Sequence, residues 1–339
     1  MKVSRYYSRS DVRLEEMPVP NIGPGELLVQ MKACGLCGSD LMSWYTDKKA
    51  PTVLGHEPTG VVVQAGAGVE QFAPGDRVFV HHHVPCFTCH YCSRGFYTLC
   101  ATFKGTHLDP GGFAEFIRVP ALNVERDVLH LPDGMSFEEG ALIEPVATCI
   151  RGIKRSGLQK GDTVAVLGVG VSGLTLVQLA RLWGATKIVA TDLVDYRLEM
   201  ALRLGADHAI HAGEDVIGRV RELNAGRGAD VVFVSVGHLQ VMEQALALVE
   251  KGGTVLFFAP TQPGTTLPVS PHRLIFEEVT VTGTYSCTPQ ETRLSLKLIE
   301  AGRINVRDLI THRFDLAGVR EAMDLAARAQ ESLKIVITP

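Results

Sequence analysis

The sequence predicts an α/β protein of two domains, a β-rich domain folded as a partly closed barrel and a doubly wound parallel-sheet domain. Three observations carry this. The chain has 339 residues, more than one core usually fills. Up to about Ala147 it runs in short β-like segments broken by glycine and proline. From about Cys149 apolar strands alternate with amphipathic helices.

The elements follow in order. "ELLVQMKACG", "TGVVVQAGAGV", "GDRVFVHHHV" and "GGFAEFIRVP" read as strands of the first domain, residues 1–148. "GDTVAVLGVG" reads as a buried strand and "VSGLTLVQLARLWG" as the helix after it. "KIVATD", "ADHAI", "ADVVFVSVG", "GTVLFFAP" and "VTVTGTY" are further strands of a second domain, 149–288. Between them "VDYRLEMALRLG", "EDVIGRVRELNAG" and "LQVMEQALALVEKG" are helical. A tail, 289–339, carries the helical "ETRLSLKLIEAGR" and a last strand, "LKIVIT", and is expected to return to the first domain.

Composition narrows the function classes. Apolar residues make up 46% and charged residues 21%, the balance of a soluble globular protein. The formal net charge is −4 with both signs scattered, so neither nucleic acid nor an anionic membrane is the expected partner. No apolar run reaches the roughly 18 residues that would span a bilayer. The first residues, "MKVSRYYSRSDVRLEEMPVP", hold no apolar secretory segment, so the cytoplasm is the expected compartment.

Thiols stay reduced there, which bears on "PCFTCHYCSRGFYTLC". Its Cys86, Cys89, Cys92 and Cys100 have the spacing C-x2-C-x2-C-x7-C. A short loop with that spacing can wrap one tetrahedral ion, and four thiolates are the donor set of a structural zinc. An iron–sulfur cluster expects different spacing and a following proline.

"VLGVGVSG" places Gly168, Gly170 and Gly173 in the G-x-G-x-x-G pattern, with Val171 opening the helix. The pattern alone is weak. Its place between a strand and a helix makes it a dinucleotide site, with pyrophosphate at the helix N-terminus. Asp192 ends the next strand, where an acid accepts hydrogen bonds from ribose hydroxyls, so NAD is expected ahead of NADP. The competing role for Asp192 is a helix N-cap. Arg197 is near enough to stack on adenine or meet a 2′-phosphate. Val236 and Gly237 should lie at the carboxyl edge of the sheet, where ligands bind.

"ACGLCGSD", "VLGHEPTG" and "ALIEPVATC" offer a second donor set: Cys37, His56, Glu57 and Glu144. Thiolate, imidazole and carboxylate suit zinc, and three protein ligands leave a position for water or substrate. Cys34 forms C-x-x-C with Cys37 but reads as a small buried residue, as do Cys149 and Cys287. His81, His82 and His83 read as a solvated or partly buried strand end, although they could bind metal.

Taken together, "GLCGSD", "GHEPTG", the four-cysteine loop, "GGFAEF", "IEP" and "VLGVGVSG" with Asp192 resemble the zinc-dependent medium-chain alcohol dehydrogenases, on the sorbitol (polyol) and threonine dehydrogenase side. The resemblance covers essentially the whole chain. It implies a GroES-like catalytic domain interrupted by a Rossmann domain, and one catalytic and one structural zinc. Cys37 and His56 would be direct ligands, and Glu57 and Glu144 the acidic members, one ligating and the other holding water. Asp40 would orient His56, and Ser39 would touch the substrate oxygen and pass on its proton. Many relatives carry a relay histidine where this chain has Met42.

The implied reaction is reversible oxidation of a secondary alcohol to a ketone, with a polyol or sugar-derived alcohol preferred. Sugar phosphates and amino alcohols such as threonine stay open. Trp44 and Tyr45 are candidate pocket walls, and Lys48 and Lys49 candidate anion partners. A homodimer or homotetramer is expected, paired through "VTVTGTY". A zinc-free reductase would lack the metal donors. A non-catalytic nucleotide- or zinc-binding protein is the remaining rival.

Overall fold

A computed structural model describes all residues, Met1–Pro339. The chain divides into two compact units, Met1–Ala147 with Cys287–Pro339, and Thr148–Ser286. Its first strands are β1 (Lys2–Ser8), β2 (Asp11–Glu16), β3 (Leu27–Gly35), β4 (Thr52–Val53), β5 (Glu57–Ala65), β6 (Arg77–Val80), β7 (Phe116–Val119) and β8 (Val128–His130). Next come β9 (Thr163–Leu167), β10 (Lys187–Asp192), β11 (His208–His211), β12 (Ala229–Val234), β13 (Val249–Phe257) and β14 (Thr280–Gly283). The last two are β15 (Ile310–Asp315) and β16 (Lys334–Thr338).

The first unit is β-rich. Its main sheet runs β15-β16-β3-β5-β6-β8, with β7 also paired to β3, and β2-β1-β4 form a smaller sheet. β3 is central because seven of its nine residues are buried, including Leu27, Val29, Met31 and Cys34. Its antiparallel register on β5 sets Gly35 opposite Glu57. The same core takes in Tyr6, Phe113, Ile117, Met323, Ile335 and Ile337, so the C-terminal strand is built into it.

The second unit is a six-stranded parallel sheet, β11-β10-β9-β12-β13-β14. All five residues of β9, "TVAVL", are buried, as expected of a strand covered on both faces. The helix Val171–Trp183 follows it and ends at Gly184, whose φ of +102° suits a helix C-terminus.

Two boundaries differ from the sequence reading. The helix expected over "LQVMEQALALVEKG" stops at Leu248, and Val249 onward belongs to β13. Val249 is β-branched and the glycines Gly252 and Gly253 follow within a turn, a poor continuation for a helix, and Val249 pairs with Ala229 instead. "VTVTGTY" supplies only Thr280–Gly283, leaving Tyr285 outside the strand. No helix is long and apolar enough to cross a membrane.

Candidate active site and zinc centres

The β3–β5 pairing delivers one side chain set to one place. Cys37 follows the end of β3, and His56 and Glu57 stand at the start of β5. Their ligand atoms all lie within 4.8 Å of one another. Asp40, in the turn Gly38–Leu41, ties the two segments: Oδ2 accepts from the Cys37 backbone N–H at 3.1 Å and Oδ1 lies 3.5 Å from His56 Nδ1. Burial works against a charged His56. The carboxylate of Asp40 and the sulfur of Cys37 outweigh it, so the imidazole sits well above its ordinary value.

Glu57 is fully buried and faces the ammonium of Lys334, also buried. Lys334 additionally donates to the Leu36 carbonyl at 3.0 Å. Gly35 makes room for this pair, since a Cβ there would come within 1.8 Å of Glu57 Oε2. Glu57 Oε1 has no hydrogen-bond partner. An orphaned buried carboxylate oxygen beside a thiolate and an imidazole fits a zinc ion, whose ligands these residue types are.

Glu144 stands next to that set, close enough for the charges of His56 and Glu57 to act on its carboxyl. It forms a second group with His81 and His82, again within 4.8 Å. Burial pushes its carboxyl up. The two groups adjoin, because the His56 and His82 rings are 5.0 Å apart. Of the two expectations for the histidine run, a solvated or a partly buried strand end, the structure shows burial, with His82 partly buried. β6 stops at Val80, His81 is fully buried and His83 is 7% exposed. The reason lies in partners: His81 meets Asp127 and Cys287, and His83 Nδ1 meets the Thr106 carbonyl at 2.7 Å. Burial and neighbouring imidazoles hold His82 well below its ordinary value, so it is a neutral base.

The four-cysteine loop draws its donors to one point. Cys86, Cys89, Cys92 and Cys100 keep their sulfurs within 4.8 Å, and all eight cysteines of the chain are free thiols. Cys86 and Cys92 sulfurs are 3.9 Å apart. Ligands about 2.3 Å from a tetrahedral zinc stand about 3.8 Å apart, against about 2 Å in a disulfide. The Thr88 hydroxyl and backbone N–H hold Cys86 down to about 5, whereas burial pushes Cys92 up to about 12. Cys34 is buried beside the Gly35 carbonyl and has no disulfide partner at Cys37.

In the second unit, Gly168 has φ +85° and a Cβ there would strike Val236 at 2.5 Å. A Cβ on Gly173 would strike the Gly168 carbonyl at 2.0 Å, so helix and loop meet only because it is glycine. Gly170 caps the helix that opens at Val171, with no side chain on the cap. Asp192 is not a helix N-cap. Its Oδ2 accepts from Val169 N–H at 2.8 Å and its Oδ1 from Leu193 and Val194 N–H at 2.8 and 3.1 Å. Arg197 Nη1 lies 3.9 Å from the same carboxylate. Gly237 lies against the Pro260 carbonyl, which a Cβ would approach to 2.2 Å.

Residues 23–133 match the alcohol dehydrogenase GroES-like domain, and 170–301 the zinc-binding dehydrogenase domain. The chain is 32% identical to the sorbitol dehydrogenase of Bacillus subtilis (strain 168) over 351 residues, covering 100% of this chain and 97% of that protein. It belongs to the zinc-dependent medium-chain alcohol dehydrogenases. Among solved structures, a zinc-binding dehydrogenase of Sinorhizobium meliloti 1021 bound to NADP superposes on this dehydrogenase with TM-score 0.90 at 31% identity, covering 100% of this chain and 99% of that one. Galactitol-1-phosphate dehydrogenase from Escherichia coli superposes at TM-score 0.87 and 28% identity, with both chains fully covered.

Sequence reasoning passed over Lys334 and Asp127. For Lys334 a signal existed, a lysine opening the apolar strand "LKIVIT". For Asp127 there was none, since its partners come from distant segments.

Proposed function

We propose that this dehydrogenase interconverts a polyol or sugar-derived secondary alcohol and its ketone, with NAD as cofactor. The observation that carries the reading is the convergence of Cys37, His56 and Glu57, with an unsatisfied Glu57 oxygen among them. When bound, zinc supplies Lewis-acid polarisation of the alcohol oxygen and NAD supplies the hydride acceptor.

The chain's own groups do the rest. Cys37, His56 and Glu57 hold the metal, and Asp40 fixes the His56 ring through Nδ1. Lys334 fixes Glu57. Ser39, in the turn between Cys37 and Asp40, takes the alcohol proton. Met42 in place of a histidine leaves the next step of proton release to water, the cofactor ribose or another side chain. The loop Gly168–Gly173 and the open N-terminus of the helix Val171–Trp183 hold the pyrophosphate. The Asp192 carboxylate behind that loop disfavours a 2′-phosphate, which supports NAD, and Arg197 lies 3.9 Å from that carboxylate. Val236 and Gly237 complete the cofactor wall. Cys86, Cys89, Cys92 and Cys100 hold a structural zinc.

A sugar phosphate is the second reading. The galactitol-1-phosphate relative and exposed Lys48 favour it, whereas Lys49 is engaged over the Tyr45 ring at 3.9 Å. We further propose a homo-oligomer through the free edge of β14. Leu274, Ile275 and Phe276 beside it are 42%, 67% and 73% exposed, a patch that a second copy would cover. Eight free thiols suit the reducing cytoplasm.

The test is turnover of purified enzyme with NAD or NADP on polyols, sugar phosphates and threonine, with zinc measured alongside. The polyols should give the highest kcat/KM with NAD. No turnover on any substrate at full zinc occupancy would overturn the proposal.

A further inference from the structure

Three histidines follow β6 in sequence, and the fold commits two of them. His81 Nδ1 lies 2.6 Å from Asp127 Oδ2, and its Nε2 lies 3.5 Å from Cys287 Sγ. His83 Nδ1 meets the Thr106 carbonyl at 2.7 Å. His82 has no such tie, and its Nδ1 is buried without a hydrogen-bond partner. A buried polar atom left unpaired costs free energy, so a group of this kind calls for an explanation. The ring is nevertheless held in place. Its centroid is 5.0 Å from that of His56 and 4.0 Å from that of His83, and His81 stands at right angles to it at 5.2 Å.

His56 belongs to the Cys37–His56–Glu57 set that carries the proposed reaction. A ring packed against the His56 ring borders the place where the reacting oxygen must sit. Its reach covers a group on the neighbouring carbon of a substrate and stops short of the far end of a longer chain. An imidazole offers one N–H and one lone pair, and a hydroxyl has the same two capacities, so the two suit each other whichever ring nitrogen faces the substrate. An ordered water would pair the nitrogen in the resting enzyme, and a substrate hydroxyl would take its position on binding. His56 and all three histidines belong to the first unit.

We propose that His82 hydrogen-bonds the hydroxyl on the carbon next to the one oxidised, and so makes the enzyme select vicinal diols over simple secondary alcohols. The assignment rests on the alcohol–ketone reaction proposed above and narrows its substrate class. A site built to pair a hydroxyl rejects the analogue that lacks it, because the protein group is then left buried and unpaired. A wall of carbon atoms at the same place gives no such discrimination. His82 is accordingly a specificity-determining residue that touches substrate and holds no metal.

The experiment compares propylene glycol with isopropanol, which share a carbon skeleton and differ by one hydroxyl. Zinc-loaded wild type and H82F are assayed with NAD on both, with zinc per chain from mass spectrometry and near-ultraviolet circular dichroism to check the fold. H82F should lower kcat/KM for the diol roughly 10-fold or more and leave that for isopropanol within about threefold. Each alcohol is also titrated into enzyme saturated with NADH, which accepts no hydride, so binding is read without turnover. There H82F should raise the Kd of the diol roughly fivefold and leave that of isopropanol in place. Should H82F fail to fold, H82A decides. An unchanged preference for the diol, or an equal loss on both alcohols, would overturn the assignment of His82 while the dehydrogenase reading stands. Zinc lost from folded H82F would overturn it as well, since His82 would then be holding metal. Turnover of neither alcohol by the wild type would count against the proposed reaction, and the NADH titration would still decide on His82.

Discussion

The ammonium of Lys334 meets the carboxylate of Glu57 inside the first unit, where neither side chain reaches solvent. One residue opens β16 and the other opens β5, and β3 lies between these two strands in the sheet. Desolvating two charges is costly, and removing one leaves the other unpaired. Lys334→Met should therefore cost about 3 kcal/mol of folding stability, measured by denaturant unfolding. E57Q/K334M should recover most of that loss. A single K334M change within about 0.5 kcal/mol of the wild type would show that the pair is not holding Glu57.

Asp40 acts through His56. Asp40→Asn keeps the size but removes the charge behind Nδ1. Zinc at the Cys37 centre should weaken roughly 10- to 100-fold, read by competition with a chelator, and kcat/KM should fall with it. Unchanged zinc affinity would make Asp40 a loop-holding residue only.

The four-cysteine loop should behave as a unit. Cys92→Ser should lose one zinc per chain and lower the Tm by at least about 5 °C, since a closed thiolate site contributes folding energy directly. Reducing agent should change neither quantity in the wild type, because no disulfide is present.

Asp192 braces the glycine loop through Val169 N–H. Asp192→Ala leaves that donor and two others unpaired, so NADH affinity should fall roughly 10- to 100-fold, followed by the fluorescence of the reduced nicotinamide. NADP binding should weaken less. An equal loss for both cofactors would assign Asp192 to the loop alone.

The pH dependence of stability has a defined contributor at Glu139. Partial burial pushes this carboxyl up, but the Ser136 backbone N–H and hydroxyl and the Arg307 guanidinium more than offset it, leaving it below its ordinary value. The stabilisation is complete above the unfolded-state value of about 4.3 and disappears as pH falls through the lower folded value. Glu139→Gln should thus cost about 1 kcal/mol at pH 7 and little near pH 3, by parallel denaturant titrations. A cost that does not change with pH would mean that the carboxylate charge is not involved.

Sequence by itself determined what is local. The cysteine spacing C-x2-C-x2-C-x7-C fits in one loop, and the glycine pattern fits in one strand–turn–helix, so chain connectivity alone brings those groups together. Buried strands such as "TVAVL" announce a parallel sheet by their unbroken apolar run. Cys37, His56 and Glu57 were legible because two flanking β3 and β5 motifs carried them.

Tertiary structure alone decided what depends on pairing between distant segments. Whether Glu144 meets Cys37 or the histidines, and that Lys334 neutralises Glu57, follow from which strands and helices lie side by side. The burial of His81 follows from Asp127 and Cys287, distant in sequence, closing on its two ring nitrogens. No spacing encodes these, because side-chain desolvation and charge pairing act across space, and a one-residue change of register would part the same residues.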